Sequence, residues 1–169
     1  DLPNVVQAWD VLTEKVQCGK KVAIIGGGAV GVEVALYLAE KGTPSGEAIK
    51  FLLINGVETP EDLVKIATKG TKEVVLLEML EKVGKDIGKS TRWVMMQDLS
   101  RYGVIVKTQT KASEITSSGV RIEIDGRVEE IEADTVVLAS GSKSENAFQS
   151  VLERKGIPHQ IIGDASQIA

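Results

Sequence analysis

Residues 26–31 constrain the fold of this chain more than any other segment. They read Gly-Gly-Gly-Ala-Val-Gly and contain the spacing G-x-G-x-x-G. Residues 21–26 (KVAIIG) lead into this motif and share Gly26 with it. They form an apolar run with β-branched residues, which is typical of a buried parallel strand. Residues 29–41 then have the apolar spacing of an amphipathic helix. A strand, a glycine-rich turn and a helix in this order predict a dinucleotide-binding unit.

The glycines of this motif have separate roles in nucleotide binding. Gly26 permits the tight turn, Gly28 lets a pyrophosphate approach the backbone, and Gly31 lets the helix pack closely on the strand. The helix N-terminus adds N–H groups and a positive dipole for the phosphates. The alternative is a glycine-rich turn without a ligand. The predicted phosphate-binding residues are Gly26, Gly27, Gly28, Ala29, Val30 and Gly31.

An acidic residue at the end of the second strand completes this type of site. Residues 73–78 (EVVLLE) are predicted to form a buried strand that ends at Glu78. Its carboxylate can accept hydrogen bonds from the adenosine ribose and would repel a 2′-phosphate. Only Lys82 and Lys85 follow closely, and no arginine, so we predict NAD(H) rather than NADP(H). Glu78 follows the motif at more than twice the usual spacing of about 20 residues, so a solvated strand-end glutamate is the alternative.

The extra length lies in residues 43–72, an insertion between the first helix and the second strand. Within it, Ile49–Ile54 is predicted as a strand or a buried turn. Thr59 is predicted to cap a helix that has Pro60 in its first turn and runs to about Lys69. This connection belongs to the sheet edge away from the phosphates. We therefore expect a packing or interdomain surface here rather than a catalytic lid.

Further elements are predicted from periodicity. Residues 5–15 and 86–102 have helical spacing, with Trp9 and Trp93 as expected packing anchors. Short apolar runs predict further strands at residues 104–106, at residues 134–139 and, near the end, at Ile161-Ile162.

Residues 112–132 change to an alternation of period two, which is typical of half-exposed strands. Turn signals at Ser118-Gly119 and Asp125-Gly126 divide them into three. Together these elements predict a Rossmann-like, three-layer α/β fold of the FAD/NAD(P)-binding type. It has a central parallel sheet, helices on one face and an antiparallel β-meander on the other.

Composition excludes several classes of function. The net charge of −4 and the 4% aromatic content argue against a nucleic-acid binder. One cysteine, Cys18, and one histidine, His159, exclude an internal disulfide and a two-histidine metal site. No apolar run is long enough to span a bilayer and no signal peptide is visible, so we expect a cytoplasmic protein without membrane contact.

Several of these segments resemble the NAD(P)H domain of flavoproteins that have two dinucleotide-binding domains. They are residues 21–35 (KVAIIGGGAVGVEVA), residues 103–110, residues 134–141 and Gly163-Asp164-Ala165. More narrowly, residues 3–12 and Gly19-Lys20 resemble the pyridine-nucleotide domain of the NADH:flavin oxidoreductases. That group includes 2-enoate reductase and 2,4-dienoyl-CoA reductase. Because the resemblance covers essentially the whole chain, we interpret residues 1–169 as a single NAD(H)-binding domain from a larger flavoprotein.

The resemblance implies a longer enzyme in which this domain lies inside an FAD domain, and both follow a TIM barrel that carries FMN and a 4Fe–4S cluster. Hydride would pass from NADH to FAD, and FMN would finally reduce an activated C=C bond of an enoate or enoyl-CoA. By resemblance, Glu33 lies near the nicotinamide, and Ala139, Ser140 and Gly141 border the cofactor. The Gly163-Asp164-Ala165 segment would touch FAD. We expect the domain alone to bind nucleotide, to carry no flavin and to catalyse little.

Two other hypotheses for the function of the chain remain at this point. The chain could be the NAD(P)H domain of a disulfide reductase or an NADH oxidase, or it could be a non-catalytic nucleotide-binding module. The flanking sequence would separate these hypotheses, because fold alone does not determine function.

Overall fold

The computed structural model describes residues 2–167, which form two sheets flanked by helices. The strands of this part of the chain are β1 (Val5–Gln7), β2 (Lys21–Ile25), β3 (Glu73–Leu77), β4 (Ile105–Lys107), β5 (Lys111–Thr116), β6 (Gly119–Ile124), β7 (Arg127–Glu132) and β8 (Thr135–Leu138). The helices are α1 (Ala8–Leu12), α2 (Ala29–Glu40), α3 (Gly46–Ile54), α4 (Pro60–Thr68), α5 (Lys89–Arg101) and α6 (Ala147–Arg154), with a short 3-10 helix at Gly163–Ala165.

The central sheet has the strand order β1-β8-β2-β3-β4, and every neighbouring pair is parallel. Strands β5, β6 and β7 form a separate antiparallel sheet. The last residues of the parallel strands lie in one row, because their register pairs Gln7, Leu138, Ile25, Leu77 and Lys107 in turn. The predicted fold class is confirmed.

The two faces of the central sheet contact different layers because side chains alternate along a strand. Val22 and Ile24 of β2 pack into the cluster that contains the inward side chains of α2. Ala23, between them, packs instead with Val120 and Ile122 of the meander. The central sheet is therefore buried on both faces, which explains why its strands are continuous apolar runs.

The start of the chain differs from the sequence prediction. Only α1, at the centre of the predicted helix 5–15, is helical, and Val5–Gln7 form strand β1. Val5 pairs with Val136 of β8 at the edge of the sheet. The helical prediction was wrong here because strand pairing with a distant segment overrides the local spacing of apolar residues.

Within the insertion, the predicted strand or buried turn at Ile49–Ile54 is wrong, because these residues belong to helix α3. Apolar side chains of α3, including Phe51 and Ile54, are exposed, so their run does not reflect burial in a sheet. The helix predicted after Thr59 is confirmed as α4, and the Thr59 hydroxyl accepts a hydrogen bond from the N–H of Asp62.

The insertion rejoins the fold at the amino ends of the parallel strands. The N–H of Thr71 donates to the carbonyl of Lys41, and the N–H of Glu73 donates to the carbonyl of Lys20. The glycine motif follows the carboxyl end of β2. The insertion is thus tied to the sheet edge opposite the motif.

Three smaller predictions also need correction. The helix predicted from residue 86 begins at Lys89, because residues before it form a loop over the glycine motif. Trp9 and Trp93 are each 60% exposed and are not packing anchors. Ile161 and Ile162 lie outside any strand.

Candidate nucleotide-binding site

The carboxyl edge of the central sheet forms a cavity of about 490 Å³. The loops after four neighbouring strands contribute to its wall. They carry the residues Trp9 after β1, Gly26–Val30 after β2, Glu78 and Asp86 after β3, and Ala139–Ser142 after β8. Its volume is in the range of small-molecule sites, which in open α/β sheets lie beyond the carboxyl ends of the strands.

Two glycines shape the junction between β2 and α2. Gly26 has a φ of 111°, and a Cβ atom on it would lie 2.4 Å from the carbonyl oxygen of Ala139. A Cβ atom on Gly31 would lie 1.8 Å from the carbonyl oxygen of Gly26. The first position requires a backbone that L side chains rarely adopt, and the second requires close approach of helix to strand. The junction thereby brings the N-terminus of α2 to the cavity wall.

Glu78 is a buried carboxylate at this edge, with 9% of its surface exposed. Its Oε2 atom accepts a hydrogen bond of 2.7 Å from the N–H of Gly27, and its Oε1 atom accepts one of 2.7 Å from the N–H of Leu80. A carboxylate has about four acceptor positions, so capacity remains for groups that enter the cavity. Glu78 therefore fixes the glycine loop and presents negative charge to a ligand.

Asp86 is a residue of this site that the sequence reasoning missed. Its two carboxylate oxygens each lie 2.9 Å from the backbone nitrogen of Ala29, the first residue of α2. The loop that carries Asp86 is held over the motif by a 2.6 Å hydrogen bond from the N–H of Gly84 to the carbonyl of Gly27. The available signal was an acidic residue in the segment between β3 and α5. Its carboxylate uses one of the N–H groups that a helix N-terminus offers to anions.

The structure brings most of the predicted site residues together. The residues that line the cavity are Gly26, Gly27, Gly28, Ala29, Val30, Glu78, Ala139, Ser140 and Gly141. Gly31 is buried behind the loop against Gly26. Glu33 lies on the exposed face of α2, outside the cavity lining.

The described residues hold no feature of a metal centre or a membrane span. Within residues 2–167 no group of three or more His, Cys, Asp or Glu side chains could hold a metal ion. None of the helices in that range is both long and apolar enough to cross a bilayer. Cys18 lies half-buried before β2, and burial raises the pKa of its thiol.

A sequence family fits both the fold and this cavity. The family described as "pyridine nucleotide-disulphide oxidoreductase" matches residues 4–164. The chain belongs to this family. The prediction of a pyridine-nucleotide domain of oxidoreductases is thus confirmed at the level of the family.

Individual family relatives carry different activities in their names. The chain is 45% identical over 162 residues to a metal reductase of Desulforamulus reducens. This match covers 96% of this chain and 24% of the relative. It is 35% identical to an NADH oxidase of Thermoanaerobacter brockii, in a match that covers 97% of this chain and 21% of the relative. It is 32% identical to a cinnamate reductase of Clostridium sporogenes, in a match that covers 98% of this chain and 21% of the relative. The chain thus spans less than a quarter of the length of these relatives.

A solved structure is also similar to this chain over almost its whole length. The complex of 2-naphthoyl-CoA reductase with 2-naphthoyl-CoA matches with a TM-score of 0.73 and 25% identity. The match covers 99% of this chain and 21% of the reductase chain.

Proposed function

We propose that this domain binds NAD(H) and, within a longer flavoprotein, delivers hydride to FAD for the reduction of an activated C=C bond. One observation supports the proposal that the domain binds NAD(H). The glycine loop, the N-terminus of α2 and the buried carboxylate of Glu78 converge on one cavity at the carboxyl edge of the sheet. Donors for a pyrophosphate and an acceptor for a ribose are the groups that a dinucleotide requires.

The residues of this chain bind and orient the cofactor. The glycine loop and the first turn of α2 would receive the pyrophosphate, and Glu78 would accept the hydroxyls of the adenosine ribose. When bound, NADH supplies a hydride, and the protein supplies position and electrostatics. Glu33 and residues 139–141 remain proposed contacts of the nicotinamide half.

The type of substrate is proposed from the relatives. Cinnamate is an enoate, and naphthoyl-CoA is an aromatic acyl thioester, so in both the carbon–carbon bonds open to reduction are conjugated to a carbonyl group. Both names support reduction of activated C=C bonds. FAD, FMN, the 4Fe–4S cluster and the barrel would belong to the rest of the longer chain. A cytoplasmic setting suits a chain with a single cysteine.

A second candidate is an NADH oxidase or a disulfide reductase, which the family description and one relative's name favour. This domain would do the same work in both, because each begins with hydride transfer from the nucleotide to a flavin. The sequence beyond this domain decides between them: a barrel with four clustered cysteines favours C=C reduction, and a redox cysteine pair favours disulfide chemistry.

We expect the chain to bind NADH about tenfold more tightly than NADPH, because the 2′-phosphate would meet the carboxylate of Glu78. Calorimetric titration with both cofactors measures this. Glu78→Ala should weaken NADH binding by about 1–3 kcal/mol through the lost charge-assisted hydrogen bonds.

The conservative variant Glu78→Gln removes the charge and keeps one acceptor oxygen, for the N–H of Gly27 or of Leu80. Its NH2 group would face the other N–H, so we expect a lower melting temperature together with a smaller discrimination between NADH and NADPH. Equal or tighter binding of NADPH to the wild type would contradict the role assigned to Glu78.

Asp86→Asn should strengthen NADH binding about two- to fivefold. The amide oxygen of the asparagine can still accept the hydrogen bond from the N–H of Ala29. The negative charge of the aspartate is lost, so it no longer repels the phosphates at the helix N-terminus. Titration at low and high salt tests this expectation, because the gain should shrink as screening increases. Unchanged or weaker binding at low salt would show that Asp86 does not oppose the phosphates.

A further inference from the structure

Trp9 occupies one end of the nucleotide cavity. It is the second residue of α1, which begins directly where β1 ends. Its indole is 60% exposed, although a side chain of this size is usually largely buried. Together with Ala8 it contributes to the wall of the cavity that contains the glycine loop.

The order of the strands sets Trp9 and Glu78 on opposite sides of the glycine loop. Along the carboxyl edge, β1 is followed by β8, β2 and β3. The glycine loop follows β2. Glu78 follows β3, the neighbour of β2 on one side, and Trp9 follows β1, two positions from β2 on the other side. Neighbouring strands lie about 4.8 Å apart. The loop after β8, with Ala139 and Ser140, lies between Trp9 and the glycine loop.

This arrangement orients a dinucleotide that is fixed at two points. If the adenosine ribose lies at Glu78 and the pyrophosphate lies at the glycine loop, the other nucleoside extends toward β8 and β1. The wall of the cavity in that direction ends with the exposed indole of Trp9. We propose that Trp9 packs against the nicotinamide ring; this inference rests on the proposed binding of NAD(H).

The chemistry of the two rings makes this contact sensitive to the redox state. The oxidised nicotinamide is a cationic aromatic ring, and the face of an indole is the best side-chain partner for a cation. The reduced ring is neutral and keeps only the stacking contribution. Trp9 therefore favours binding of NAD⁺ over NADH and is a binding residue that discriminates between the two forms.

The chain offers a matched control, because Trp93 on α5 is also 60% exposed and does not line the cavity. Trp9→Leu and Trp93→Leu should each be titrated with NAD⁺, NADH and ADP-ribose, which lacks the nicotinamide. We expect Trp9→Leu to weaken NAD⁺ about three- to tenfold, NADH by a smaller factor and ADP-ribose not at all. Trp93→Leu should change none of the three affinities.

A second measurement keeps the indole in place. In Trp93→Phe, where Trp9 is the remaining tryptophan, NAD⁺ should quench the fluorescence and ADP-ribose should not. In Trp9→Phe, neither ligand should quench the emission of Trp93. Equal losses for ADP-ribose and NAD⁺, or no quenching of Trp9 by NAD⁺, would overturn the contact. If the wild type binds none of the three ligands, the proposed function itself fails, which is a different result.

Discussion

Gly28→Val is expected to abolish measurable nucleotide binding while the domain stays folded. The added side chain would enter the cavity, because Gly28 is part of its wall at the place where a pyrophosphate needs close approach to the backbone. The backbone of Gly28, with φ of −71° and ψ of −173°, lies in a region open to other residues. The new Cβ atom would lie 3.1 Å from the Oδ2 atom of Asp86, so this exposed carboxylate would have to move by a few tenths of an ångström. Titration with NADH and thermal unfolding of the same preparation measure both parts.

Gly46→Val is the matched control for this variant. Gly46 begins α3 in the insertion, and a Cβ atom on it would meet nothing within 4 Å. We expect its nucleotide affinity to equal that of the wild type. If Gly28→Val keeps its affinity for NADH, the nucleotide binds elsewhere or the motif is only a turn.

Gly31→Ala is expected to destabilise the domain by about 3 kcal/mol or more, which is a large effect for a single methyl group. Its Cβ atom would lie 1.8 Å from the carbonyl oxygen of Gly26 and 3.0 Å from the carbonyl carbon. Both atoms belong to the backbone of the β2–α2 junction and cannot move aside as a side chain would. Urea denaturation gives the free energy of unfolding, with Gly46→Ala as the control in open space.

The two glycines thus separate binding from folding within one motif. Gly28→Val should lose affinity and keep its unfolding midpoint, whereas Gly31→Ala should lower the midpoint even without ligand. An unchanged midpoint in Gly31→Ala would show that helix α2 can move away from the strand at little cost.

The parts of the fold that local chemistry determines could be predicted from the sequence. Strand β2, the glycine turn and α2 follow one another within a short segment and each carries its own signal. The cap of Thr59 and the turn at Asp125-Gly126, where both residues have positive φ, are likewise local. These elements lie where the sequence predicted them.

The rest depends on contacts between distant residues. Strand β1 exists because β8 pairs with it, and the spacing of residues 5–15 contains no sign of that partner. The residues of helix α3 were predicted as a strand or a buried turn because they form an apolar run, whereas Phe51, Leu53 and Ile54 are exposed. Asp86 and Trp9 became visible as cavity residues only when the loops after different strands were brought together.

The pairing of β1 with β8 has a consequence for the order of folding. Within residues 2–167, β1 has a single neighbour in the central sheet, and that neighbour, β8, is the last strand of this sheet along the chain. A ribosome would release β1 well before β8, so the backbone of β1 would wait without its strand partner while the intervening elements form. Such distant pairing slows folding and leaves strand edges open to other chains. The wall that contains Trp9 would then be completed last, so newly made protein would become able to bind nucleotide fully only at the end of folding.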